Sequence, residues 1–169
     1  MAGNKYLTSA NGVLTQVAAT QTSSGSANAG QIPALTAAGL LDISLMPVGI
    51  GAEADTIVAS ETIAAGAFVN IWSNAGVISV RNADATASKP AHGFVLAAVS
   101  SAANATVYRV GQLNNSLTGL TIGVNYFLGA VGAVTSTVPT GTGTISQILG
   151  VPISTTSMAF EPQPPITLA

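Results

Sequence analysis

Few side chains in this chain are able to do chemistry, and each has to be weighed alone. His92 is the only histidine, so a metal site with two imidazoles is excluded, and a Ser-His-Asp arrangement would have to be built on this residue. Its setting, Ala91-His92-Gly93, reads as a loop-to-strand junction, where a histidine bonds to backbone groups more often than it reacts. Cysteine is absent, which removes disulfides, thiolate zinc sites and thiol nucleophiles. Glu53 and Asp55 stand two apart and offer oxygens to calcium, but that ion takes about six to eight and the chain supplies few others. Neither a Gly-x-Ser-x-Gly elbow nor a Gly-x-x-x-x-Gly-Lys phosphate loop occurs. Gly49-Ile50-Gly51 and Gly141-Thr142-Gly143 lack a third glycine and a following helix, so both read as turns. Asn104-Ala105-Thr106 and Asn114-Asn115-Ser116 match the glycosylation sequon, which carries no weight without a secretion signal. Trp72 is the best single residue for a binding surface, although its place at the end of a β run suits core. These residues lead to the expectation of a protein that is not an enzyme, with no catalytic, cofactor-binding or metal residues.

The elements that would position these side chains are short and of β type. Thr56–Ala59 reads as a first strand. Phe68–Trp72 and Val77–Arg81 flank Ser73-Asn74-Ala75-Gly76, a hairpin-type turn. Gly93–Val99 is a continuous apolar run suited to a strand buried on both faces, with Ala105–Val110 as its natural partner. Asn125–Leu128, Ala133–Thr135, Ile145–Val151 and Ser157–Phe160 complete the series. The runs recur roughly every 8–12 residues with turn signals between them, the pattern of a β-sandwich or barrel. Helix is expected only as one or two turns near Ala37–Ser44. Pro162, Pro164 and Pro165 end the last strand, and an extended tail should follow.

Composition divides the chain near residue 50. Residues 51–169 read as the β domain with a Pro-rich tail, and residues 1–50 as an extended N-terminal arm. Thr20–Gly30 is rich in Ser, Gly, Ala and Thr and reads as slack linker. On either side the arm carries Leu14, Val17, Ile32, Leu35, Leu40, Leu41, Leu45 and Met46. No piece is long enough to fold alone. The expectation is that these eight side chains contact a partner, the arm being mobile when free and ordered when bound.

Charge points the same way. Only four basic and six acidic residues occur in 169, or 6% of the chain, and the net charge is −2; an average soluble domain carries roughly 25%. So few cations exclude a nucleic-acid binder that works by neutralising phosphates. No apolar run reaches the ~18 residues of a membrane span. Met1–Lys5 lacks the basic, apolar and small-residue order of a secretory signal, giving an expectation of cytoplasmic synthesis. What low charge and 48% hydrophobic residues fit is a module that packs against other protein surfaces.

The runs Lys5–Thr15 (KYLTSANGVLT) and Gly30–Pro47 (GQIPALTAAGLLDISLMP) resemble the leading segment of tailed-bacteriophage virion proteins. Glu61–Trp72 (ETIAAGAFVNIW), Ala91–Leu96 (AHGFVL) and Val107–Gly111 (VYRVG) are similar to capsid cement, or decoration, proteins of such phages. The resemblance implies a non-catalytic β domain that clamps the major capsid protein on the virion surface, as a homotrimer. The same leading segment also resembles phage fibre proteins, which implies an alternative: a head or tail fibre that attaches to a host receptor or glycan. The absence of a sustained repeat or heptad and the eight scattered aromatic residues favour the first.

Overall fold

The computed structural model describes residues 5–46 and 53–169. The chain forms two compact units, Met1–Gly51 and Ala52–Ala169. No α-helix occurs among the described residues, and the protein is all-β.

The first unit holds strands β1 (Lys5–Ala10) and β2 (Val13–Ala18), an antiparallel hairpin in which Ala10 faces Val13 and Lys5 faces Ala18. Asn11 and Gly12 make its two-residue turn, with φ of 54° and 77°. Both values are positive, as a turn matched to the twist of two strands requires, and Asn-Gly is the pair that adopts them most readily. The reading of Thr20–Gly30 as slack is corrected. Thr20 N–H donates to Ile32 O at 2.9 Å and Ala34 N–H to Thr20 O at 2.8 Å. Between them Gly25–Asn28 winds into a 3-10 turn, and the Asn28 side chain donates to Gln31 Oε1 at 2.9 Å. Small polar residues thus build a turn from side-chain to backbone bonds, with no apolar core needed. A second 3-10 turn spans Ile43–Leu45, at the edge of the stretch expected to hold one. Ala34 is the one hydrophobic residue buried among the described residues of this unit.

The second unit is built on β3 (Ala54–Val58), β4 (Phe68–Asn74), β5 (Val77–Asn82), β6 (Gly93–Phe94) and β7 (Asn104–Tyr108). They form one sheet in the order β3-β7-β6-β4-β5. The β4–β5 turn is Ala75-Gly76, again with two positive φ values, 51° and 88°. The two edges of the sheet are joined. Just past β3, Ala59 pairs with Val80 of β5, and Ser60 N–H donates to Val80 O at 2.8 Å. This single bridge brings the two edge strands together at one end, as in a small barrel. Ala59, Ile63, Val69, Val80, Ala105 and Val107 are fully buried within one cluster on its inner side.

Along β4 the side chains alternate between two cores, which is why the strand is apolar at successive positions. Val69 joins the inner cluster and Phe68 the outer one. The outer face is covered by short pairings: β8 (Leu113–Asn114) with β13 (Met158–Ala159), β9 (Tyr126–Leu128) with β10 (Val134–Thr135) and β12 (Ile148–Gly150), and β11 (Ile145–Ser146) with β14 (Ile166–Thr167). Phe68, Phe94 and Phe160 meet there with ring centroids 5.4–6.0 Å apart in tilted and edge geometries.

Three elements differ from their sequence reading. The Gly93–Val99 run is a strand only at Gly93–Phe94; beyond Val95 the chain turns, and Ala97 and Ala98 are exposed. Its partner β7 touches it at Phe94–Tyr108 and pairs mainly with β3. Ile145–Val151 is two strands, parted at Gln147. Its buried amide accepts from Ala91 N–H at 2.8 Å and donates to Ala91 O at 3.1 Å. The proline-rich tail does not end in isolation, because Ile166–Thr167 pairs with β11.

Candidate functional site

Two surfaces carry residues that could act on something outside the chain. The first is the set of exposed apolar side chains of unit one. Leu14, Ile32, Leu35, Leu40, Leu41 and Met46 are exposed, Leu14 to 70% and Leu40 to 66%. Val17 and Leu45 are half-buried. Leu7 and Val13, which the reading of the arm left out, are equally exposed. The Asn11-Gly12 turn was the signal for them: it sets the register that pairs Leu7 with Gln16 and Leu14 with Ser9, placing Leu7 and Leu14 on one face of the hairpin and Val13 on the other. A two-stranded hairpin with apolar side chains in water is marginal by itself.

The second surface lies on β4 and β5. Their register places Asn70 opposite Arg81 and Trp72 opposite Ser79. The Arg81 guanidinium lies over the Trp72 ring, 4.3 Å from its centre, and Arg81 Nε donates to Asn70 Oδ1 at 3.0 Å. Asn70 is buried, and its amide nitrogen donates to Pro90 O at 2.8 Å. That bond fixes which end of the amide faces the arginine. Trp72 Nε1 donates to Ser60 Oγ at 3.2 Å, so the indole is half-buried and pinned rather than core.

His92 stands beside this group. Its Nδ1 accepts from Ile71 N–H at 3.0 Å, its backbone N–H donates to Val69 O at 2.8 Å, and its backbone carbonyl accepts from Arg109 Nη1 at 3.3 Å. Desolvation by the surrounding chain, and then the Arg109 cation, hold the imidazole below its ordinary value of 6.5. No serine or threonine hydroxyl bonds to the ring among the described residues, so the arrangement supplies no activated nucleophile.

Most of the carboxylates are occupied. Asp55 Oδ2 accepts from Arg109 Nε at 2.7 Å, the one ion pair among the described residues. Arg109 N–H also donates to Glu53 O at 2.8 Å. Of the pair considered for calcium, Asp55 is therefore committed to an arginine, while Glu53 meets the same residue only through its backbone carbonyl. Asp84 accepts from the amide and hydroxyl of Thr86 at 2.9 and 2.7 Å. Partial burial works upward on its carboxyl, but the hydrogen bonds from Thr86, Val131 and Ala87 outweigh it and hold the group below its ordinary value. Among the described residues no three of histidine, aspartate and glutamate come together. The sequon at Asn114 is closed off: that side chain is fully buried and donates to Gly66 O at 2.9 Å. Gly141 and Gly143 do sit in a turn, closed by Thr144 N–H on Gly141 O at 3.0 Å. Gly49-Ile50-Gly51 lies outside the described residues. Two open grooves of about 340 and 350 Å3 mark the second unit, and neither is lined by a titratable side chain.

Compared with known proteins, the chain matches no family model, no curated protein and no solved structure.

Proposed function

We propose that the protein is a non-catalytic structural component of a phage virion, a cement protein that binds and stabilises the outer surface of the capsid. The observation that carries this reading is the exposed apolar side chains of the first unit, set in a chain with almost no charge. Each is worth roughly 1.5–3 kcal/mol when fully buried. Burying half of them on a partner would offset several kcal/mol of ordering cost. A surface of this composition suits the apolar centre of a lasting interface better than the polar rim of a passing one.

The major capsid protein is the proposed partner, and a homotrimer the proposed form, as the resemblance to cement proteins implies; cyclic self-association is also the common way to cover an apolar face. The virion surface is the proposed location, after synthesis in the host cytoplasm. Quantitative gel densitometry of purified virions tests the reading. Many copies per particle, in fixed ratio to the major capsid protein, is the expected result. A few copies per particle would contradict it and support a fibre that meets the host.

A further inference from the structure

Arg81 stands out in a protein so short of charge, because no carboxylate among the described residues pairs with it. The one ion pair among the described residues joins Arg109 to Asp55. Glu61, the acidic residue bound to the end of β5, is engaged by the backbone and side-chain amides of Asn82 at 2.7 and 2.8 Å. Yet Arg81 is held as firmly as a paired arginine. Trp72 covers one face of its plane at 4.3 Å, and Nε is tied to Asn70, which is itself tied to Pro90 O. This leaves both terminal nitrogens of the fork without a protein acceptor among the described residues. A guanidinium fixed in this way loses little conformational freedom when it meets a planar two-oxygen acceptor.

His92 adds a second donor next to the first. Its Nδ1 accepts from Ile71 N–H, so the neutral ring carries its proton on Nε2. Asn70 touches both groups: Oδ1 receives Arg81 Nε, and Nδ2 lies 3.5 Å from His92 Nδ1. The residue is exposed, and the lowered affinity of its ring for a proton keeps Nε2 a neutral donor. Guanidinium and imidazole thus flank the Asn70 amide, the ring facing it with Nδ1 and turning its Nε2–H away. Further along the same face of the hairpin, Val77 is exposed to 60%.

We infer that the β4–β5 hairpin face is a recognition site for a carboxylate, presented as an aspartate or glutamate side chain of a docked protein, with the Arg81 fork as its donor, Asn70 as the positioning residue and the His92 N–H as a flanking donor to the same partner. Its openness argues for a protein-borne carboxylate over a free one. These residues lie outside the two grooves described above, on an open strand face where Val77 is exposed, so a small acid would gain fewer contacts there than a protein surface. An acidic side chain on a larger surface gains the exposed Val77 and the rim of the indole as further contacts.

Trp72 is the only tryptophan, so its fluorescence reports on the site directly. The full-length protein is titrated with poly-L-glutamate at low salt, with sodium glutarate and poly-L-lysine in parallel. Poly-L-glutamate should change the emission along a saturating curve that weakens as salt is raised. Arg81→Lys keeps the charge but loses the fork, and should weaken binding about tenfold, equivalent to about 1.4 kcal/mol. His92→Gln should weaken it severalfold. Lys89→Gln removes a half-buried cation elsewhere in the unit and should change it by less than about twofold, as expected of a charge outside the site. Calorimetric titration gives the same constants without the indole, covering any change in emission that Arg81→Lys itself causes. No saturable response, or Arg81→Lys binding as the parent does, or equal losses for Lys89→Gln and Arg81→Lys, would overturn the inference. Saturation by glutarate at the same carboxylate concentration would overturn the protein-borne source.

Discussion

Truncating Phe160 to alanine should remove a large part of the second unit's stability. Phe160 is fully buried, with its ring 5.4 Å from Phe68 and 6.0 Å from Phe94. Burying and then deleting such a side chain costs about 3–5 kcal/mol, cavity included. Its two aromatic neighbours each add about 0.5–1.5 kcal/mol beyond area. The cavity has little freedom to collapse, because Phe160 N–H donates to Gln112 O at 2.9 Å and Phe160 O accepts from Gly111 N–H at 2.8 Å. A loss near the top of that range, about 4–5 kcal/mol, is therefore expected, out of the 5–15 kcal/mol typical of a whole domain, roughly. Urea unfolding followed by Trp72 emission measures it. With a slope of about 2 kcal/mol per molar, the midpoint should fall by about 2 M. Phe160→Leu, which keeps most of the volume, should cost under about 1.5 kcal/mol. A loss below about 1 kcal/mol for Phe160→Ala at unchanged slope would refute the reasoning, since the C-terminal strands would then not be sealing the outer face of the sheet.

The remaining predictions concern packing, pH and assembly. Gly93→Ala should cost about 2 kcal/mol, read as a lower urea midpoint, because a β-carbon there would lie 2.6 Å from both Tyr108 O and Val107 Cγ1. His92 binds its proton less readily folded than unfolded, so the unfolded chain takes up more protons between the folded value and 6.5. Stability should therefore be whole above about pH 6.5 and fall as pH drops through that window. Urea midpoints at about pH 7.5 and about pH 5.5 should differ less in His92→Gln than in the parent, with Arg81, Arg109 and Asp55 unchanged around it. Light scattering of the purified protein should give the mass of three 16.6 kDa chains; a stable monomer at micromolar concentration would count against the trimer.

What could be read from the sequence was whatever local rules control. The β4–β5 hairpin was legible because Ala75-Gly76 follows a strand-like run and precedes another. The all-β class followed from the spacing of such runs. Strand length was not legible where tertiary bonds intervene: the apolar run from Gly93 to Val99 gives no sign that the chain turns after Val95. Gln147 parts an apolar stretch because its amide reaches Ala91, 56 residues away. Arg81 and Trp72 were each visible, but as the last residue of a strand and a core indole. They meet because a two-residue turn at Ala75-Gly76 sets Trp72 opposite Ser79 and Asn70 opposite Arg81. Counting outward from that turn would have found the pair. The Asn11-Gly12 turn offered the same count for Leu7 and Leu14, and the order within Thr20–Gly30 depends on side-chain bonds that composition does not show.

Attachment through the first unit is the claim on which the functional account stands, and co-sedimentation with cement-free capsid shells tests it most directly. The full chain is compared with a chain lacking residues 1–51, whose cooperative urea transition is checked first. The account predicts that the full chain pellets with the shells to saturation, while the shortened chain, folded, stays in the supernatant and no longer protects the shells against heat. A shortened chain that binds as tightly as the full one would contradict the account.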